Sequence, residues 1–196
     1  DPDGIFQANV ARCTAAQFIA GPHRPDDRSS VHATEVFLKP LERLAIYGAE
    51  GAPRLTVAGC PGAPAGPMDT DSEAGHPAGS TWLAAHPGSG SEQKNWPEGR
   101  WARLLEHLAA ETDWRLLLVG GEAEGERLSR LRELWPAERL ALAQGLPLVD
   151  LARRLARASL FVGHDSGITH LAAALGLRGL ALWSGTSEAV WAPRGA

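Results

Sequence analysis

Between residues 81 and 183 short apolar runs alternate with amphipathic stretches, and this alternation restricts the chain to very few folds. Strands are expected at 82–86, 115–119, 139–142, 159–162 and 179–183, and helices at 97–111, 123–135, 147–157 and 167–175. The run Arg115-Leu116-Leu117-Leu118-Val119 is apolar for most of its length, as a strand covered on both faces should be. Strands that alternate with helices through right-handed crossovers give the α/β class, a doubly wound parallel sheet. Trp101, Leu104, Leu105 and Leu108 share one helix face and read as core rather than as a platform for stacking bases.

A parallel sheet puts every strand end at one edge, and ligands of open α/β sheets bind there. The turns expected at that edge are rich in Gly, Ser and acid: Ser89 to Lys94, Gly120-Gly121-Glu122-Ala123-Glu124, Gln144-Gly145-Leu146-Pro147, Asp165-Ser166-Gly167 and Ser184-Gly185-Thr186. Two of them carry most of the chemistry. In the first, Leu160-Phe161-Val162 runs into Gly163-His164-Asp165-Ser166-Gly167, and an apolar helix pattern follows. Asp165 or Ser166 can cap that helix, Gly167 allows close approach to the backbone, and the free amides at a positive dipole end suit a phosphate. His164 has no assigned role in this reading.

In the second, His86-Pro87-Gly88-Ser89-Gly90-Ser91-Glu92-Gln93-Lys94-Asn95-Trp96-Pro97 leads into a helix with Pro97 near its first turn. Amides and hydroxyls of such a loop can hold phosphate oxygens, and one ammonium can neutralise them. It is not a Walker A loop, because no Gly-Lys-Ser/Thr follows the glycines. Lys94 stands out: of 19 basic residues only Lys39 and Lys94 are lysines. A compact charge on a flexible stem reaches where a planar guanidinium fork does not fit.

The remainder of the chain is less regular. Residues 1–59 read as a partial second lobe, with a weak helix at 5–13, short strands at 17–20 and 55–58, and a helix over 31–47 that Pro40 kinks or splits. Residues 60–80 are dominated by Pro and Gly and read as a linker, leaving 81–196 as the second lobe. The net charge of −4 argues against general attraction to nucleic acid, and no run reaches transmembrane length. Cys13 and Cys60 have no metal-ligand spacing; they fit a reducing compartment and either packing or chance. The start at Asp1 without Met and the stop directly after a turn are those expected of a fragment.

These motifs together resemble glycosyltransferase family 9, the ADP-heptose:lipopolysaccharide heptosyltransferases. His86-Pro87-Gly88-Ser89 with Lys94-Asn95-Trp96-Pro97 is similar to the family's donor loop, and Gly120-Gly121-Glu122-Ala123-Glu124 to its second-strand turn. Asp165-Ser166-Gly167 with His170, Gly176, Trp183-Ser184-Gly185-Thr186 and Trp191-Ala192-Pro193 resembles its most diagnostic block. The resemblance covers residues 80–196 well and 1–59 loosely.

The resemblance implies a GT-B fold, two Rossmann-like lobes across a cleft, with the nucleotide-sugar on the C-terminal lobe. It implies an inverting transfer of a heptose or related sugar from an ADP-sugar to lipopolysaccharide or another glycan. No metal or other cofactor is expected. Lys94 is the residue expected to act in catalysis, at the leaving diphosphate, with Ser89 and Ser91 as nearby hydroxyl donors. Ser166 and Gly167 would bind phosphate, His170 would donate to it, and Asp165 would hold sugar hydroxyls, because a carboxylate repels phosphate. Glu124 would accept from the ribose and Leu146 would pack on the base. The family's aspartate base lies in a segment expected ahead of residue 1, so this stretch alone should not turn over substrate. The resemblance also implies a cytoplasmic enzyme with peripheral association at the inner membrane face. A sugar-nucleotide epimerase of GT-B architecture and a non-catalytic nucleotide-sugar-binding module are the competing readings.

Overall fold

The computed structural model describes residues 3–57 and 81–194. Strands β1 (Trp82–His86), β2 (Arg115–Gly120), β3 (Leu140–Gln144), β4 (Leu160–His164) and β5 (Arg178–Leu182) form one sheet in the order β3-β2-β1-β4-β5. Every pairing is parallel, so all five carboxyl ends meet at one edge. Helices α3 (Glu98–Glu111), α4 (Gly125–Arg132), α5 (Leu148–Leu155) and α6 (Gly167–Ala174) supply the crossovers. All the strands and these helices match the expected ones to within three residues at each end.

Alternation along each strand divides the core in two, because successive side chains point to opposite faces. Leu83, Ala85, Leu116, Leu118 and Val162 face Trp101 and Leu105 of α3 and Leu128 and Leu131 of α4. Trp82, Ala84, Leu117, Val119 and Phe161 face Leu151 and Leu155 of α5 and Ala172 of α6. Strand β1, buried along its whole length, lies at the centre. The crossover from β1 turns toward β2, while β4 lies on its other side. The loops after β1 and β4 therefore part and leave a crevice at the point where the strand order reverses.

Two boundaries differ from expectation in ways that shape the site. Strand β4 extends to His164, which pairs with Leu182 and is thereby placed under the sheet edge rather than in the turn. Helix α4 starts two residues late, because the Glu124 carboxylate turns back to accept from the Gly121 amide at 2.8 Å.

The first 57 residues depart further. Helix α1 (Ile5–Ala11) forms, and the expected 31–47 helix splits into α2 (Ala33–Leu38) and a tighter 3-10 helix, Lys39–Leu44, with Pro40 in its first turn. Neither expected strand forms among the described residues: 17–20 has no partner strand. At 55–57 the Leu55 amide donates instead to the Ala174 carbonyl at the end of α6, 2.7 Å away. Residue 58 and the expected linker at 60–80 lie outside the described residues. Cys13 is exposed rather than packed. This segment is tied to the short final helix α7 (Glu188–Trp191) and the residues after it. The Trp191 indole donates to Asp27 at 2.6 Å, Arg194 pairs with Glu35 at 2.6 Å, and His32 Nε2 lies 2.7 Å from the Ala192 carbonyl oxygen.

Candidate functional site

The crevice between the ends of β1 and β4 collects the residues singled out in the sequence. Lys94, in a short 3-10 turn (Glu92–Lys94) of the loop after β1, reaches across to Asp165 after β4. Its Nζ lies 2.8 Å from Asp165 Oδ2, although the two are 71 positions apart. The Lys94 side chain is 32% exposed and that of Asp165 10%. The Thr186 hydroxyl, in the turn after β5, donates to the same Oδ2 at 2.8 Å. Three strand ends therefore converge on one carboxylate.

Beside this pair begins α6. Ser166 is its cap, its hydroxyl oxygen accepting from the Thr169 amide at 3.4 Å. Gly167 and Ile168 carry the first helical amides, which have no carbonyl four residues back within the helix. Gly167 is exposed, and a Cβ built on it would meet nothing within 4 Å. Open space, amides without an intrahelical partner, a positive dipole end and a nearby ammonium are the features that favour an anion.

Other expected residues have more local duties. The Ser89 hydroxyl donates to the Ser91 carbonyl at 2.7 Å and accepts from the Ser91 amide at 3.2 Å, so it shapes the loop from within. The Glu124 side chain packs against Gly88, where a Cβ would come within 2.5–2.8 Å of it; the glycine is needed for that contact. Leu146 packs on the second core cluster beside α5. His170, one turn into α6, is half-buried, and its desolvation pulls its pKa below the usual histidine value against the opposing pull of Asp165.

Three residues that matter here were not assigned from the sequence: Thr186, His86 and His164. His164 is fully buried. The Trp96 amide donates to its Nε2 at 2.7 Å, so that nitrogen carries a lone pair. The proton is then on Nδ1, which donates to the Gly88 carbonyl 3.1 Å away. Desolvation lowers the pKa of this imidazole, and the Gly88 hydrogen bond partly opposes that. The buried setting follows from the strand register, which no local signal revealed.

His86, the last residue of β1, is buried with Nδ1 3.3 Å from the Ser166 hydroxyl. Burial lowers its pKa to about 4, with Glu124 pulling upward and His164 downward. In the unfolded chain the imidazole takes a proton near pH 6.5, whereas in the fold it resists until about pH 4. Its contribution is thus fully present above pH 6.5 and is lost as pH falls toward 4. Between pH 7 and pH 5 the loss should be about 2 kcal/mol. Urea unfolding of His86→Phe should show a pH 7 to pH 5 decline smaller by that amount than the parent chain. An unchanged decline would assign the pH dependence to other groups.

A five-stranded parallel sheet in the order β3-β2-β1-β4-β5 with helical crossovers is the Rossmann-type architecture of a GT-B glycosyltransferase lobe. The glycosyltransferase family 9 (heptosyltransferase) profile matches residues 63–196, and the chain belongs to that family. Lipopolysaccharide heptosyltransferase 1 of Pseudomonas aeruginosa is 36% identical over 110 residues, 56% of this chain and 28% of that protein. The solved structure of Escherichia coli heptosyltransferase WaaC with ADP is 28% identical, with a TM-score of 0.54 over 59% of this chain and 36% of that one. A family 9 glycosyl transferase from Veillonella parvula shares the fold over 94% of this chain and 52% of its own, with a TM-score of 0.68 at 18% identity. The chain spans less than a third of the length of the curated relatives it matches. Among the described residues, no helix is long and apolar enough to cross a membrane, and no cluster of ligating side chains could hold a metal ion.

Proposed function

We propose that this chain carries the donor-binding lobe of an inverting glycosyltransferase that takes a heptose or related sugar from an ADP-sugar. The acceptor in this reading is the lipopolysaccharide core or another glycan, met at the inner membrane face. The observation that carries it is the Lys94–Asp165 pair set beside the open start of α6.

The chemistry follows from that juxtaposition. An acceptor oxygen attacks the anomeric carbon, the bond to the diphosphate breaks on the opposite side, and negative charge grows on the leaving phosphate. The Gly167 and Ile168 amides and the Lys94 ammonium stabilise that charge without a metal ion. As Lys94 turns to the diphosphate, Asp165 is freed to accept from sugar hydroxyls while Thr186 keeps it in place. Glu124 faces the ribose hydroxyls and Leu146 the base. The acceptor's proton passes to a carboxylate base, which the family resemblance puts on the acceptor-side lobe.

Calorimetric titration of the chain with ADP, UDP and GDP, each with and without Mg²⁺, tests the reading. ADP should bind best, and Mg²⁺ should leave its affinity unchanged. A preference for UDP or GDP would move the function to another sugar donor. Binding that requires Mg²⁺ would remove Lys94 from its proposed place at the diphosphate. The relative of known structure with ADP supports the choice of nucleotide.

A further inference from the structure

We propose that His164 is a positioning residue for the donor site: its imidazole clasps both ends of the Gly88–Trp96 loop and so holds Lys94 at the crevice. The inference rests on the donor-site reading above and adds to it a residue with no contact to the ligand.

One imidazole bonds two backbone groups eight positions apart, the Gly88 carbonyl through Nδ1 at 3.1 Å and the Trp96 amide through Nε2 at 2.7 Å. Lys94 lies between those anchors, two residues before Trp96. The loop has other ties. Arg127 donates to the Pro87 carbonyl and to Glu92, and the Ser184 hydroxyl donates to the Gln93 carbonyl. The Glu92 and Ser184 ties are exposed, where water competes for the same groups. The imidazole itself is fully buried, its bond to Gly88 is buried and its bond to the Trp96 amide is part-buried, so breaking them costs more than losing the exposed ties. The ring itself is fixed, standing edge-on to Trp101 at 5.5 Å and 80°.

Backbone-to-imidazole bonds of this kind set where a loop can go. Without them the loop samples positions from which Lys94 no longer faces the anion site, and the lysine's contribution to binding is diluted. A histidine that only fills the core would leave that contribution intact.

The test is a double-mutant cycle on the full chain with ADP as the probe. His164→Phe keeps the ring against Trp101 and removes both bonds. His164→Asn is a second variant, in which the amide keeps a donor for Gly88 but is too short to reach Trp96. Each should weaken ADP about fivefold or more, and Lys94→Ala made on either background should cost under about threefold further. His164→Gln, which brings an acceptor toward the Trp96 amide, should recover part of the affinity. If Lys94→Ala costs as much on these backgrounds as in the parent chain, the clasp is overturned.

A nucleotide-independent arm separates this from failure of the donor reading. Hydrogen exchange at the Trp96 amide should accelerate about tenfold or more in both variants while amides of β1 and β4 are unchanged. Unchanged exchange at Trp96 overturns the clasp. Absence of ADP binding by the parent chain overturns the donor reading and leaves the exchange result to decide the clasp.

Discussion

Replacing Lys94 with alanine should weaken ADP binding about ten- to a hundredfold, the largest effect of any single change at the site. A charge-assisted hydrogen bond to a phosphate is worth about 1.5–3 kcal/mol, and each 1.4 kcal/mol is a factor of ten in affinity. The ammonium is held by Asp165 at 2.8 Å. Binding therefore exchanges a carboxylate partner for a diphosphate with more negative charge. That exchange places the expected loss toward the lower end of the range. The contrast with Lys94→Arg is informative: the charge stays, but the planar fork has to fit a space now occupied by a flexible stem. Calorimetry on both variants measures the two terms. Equal affinity of Lys94→Ala and the parent chain would show that the helix amides bind the phosphate alone and that the ion pair is merely structural.

Trp101→Ala should cost about 3–5 kcal/mol of folding stability, a large part of what a domain of this size possesses. The side chain is fully buried in the first core cluster. It also stands edge-on to Trp96 at 5.7 Å and to His164 at 5.5 Å. Truncation thus removes transfer energy, opens a cavity and loosens the two residues that meet at the loop. Trp101→Phe should cost less than half as much. The indole N–H has no hydrogen-bond partner, so phenylalanine forfeits area but no hydrogen bond. Urea unfolding of the two variants checks the ordering. A loss under about 1 kcal/mol for the alanine variant would mean that α3 repacks and that Trp101 is not the keystone of that face.

Much of the fold of residues 81–194 was legible from pattern alone. Leu116 to Val119 read as a strand covered on both faces, and the structure places alternate members of that run in opposite core clusters. Trp101 and Leu105 read as core from their spacing, and both are fully buried. The helix start at Asp165-Ser166-Gly167, capped by Ser166, was legible because helix caps and glycines have local causes. Residues 17–20 and 55–57 misled for the complementary reason: short apolar runs have strand propensity, but a strand exists only where a neighbour offers its backbone. There the Leu55 amide found a helix end instead.

By itself the sequence determined the α/β class, the order of the elements and the edge at which the polar turns gather, because these depend on periodicity and on the direction of parallel strands. Only the tertiary structure decided which turns meet. Whether Lys94 touches Asp165, whether Thr186 joins them, and whether His164 is exposed in a turn or buried beneath a loop all depend on the strand order and register. Those are fixed by packing between residues 21 to 71 positions apart, and no local pattern in the chain encodes them.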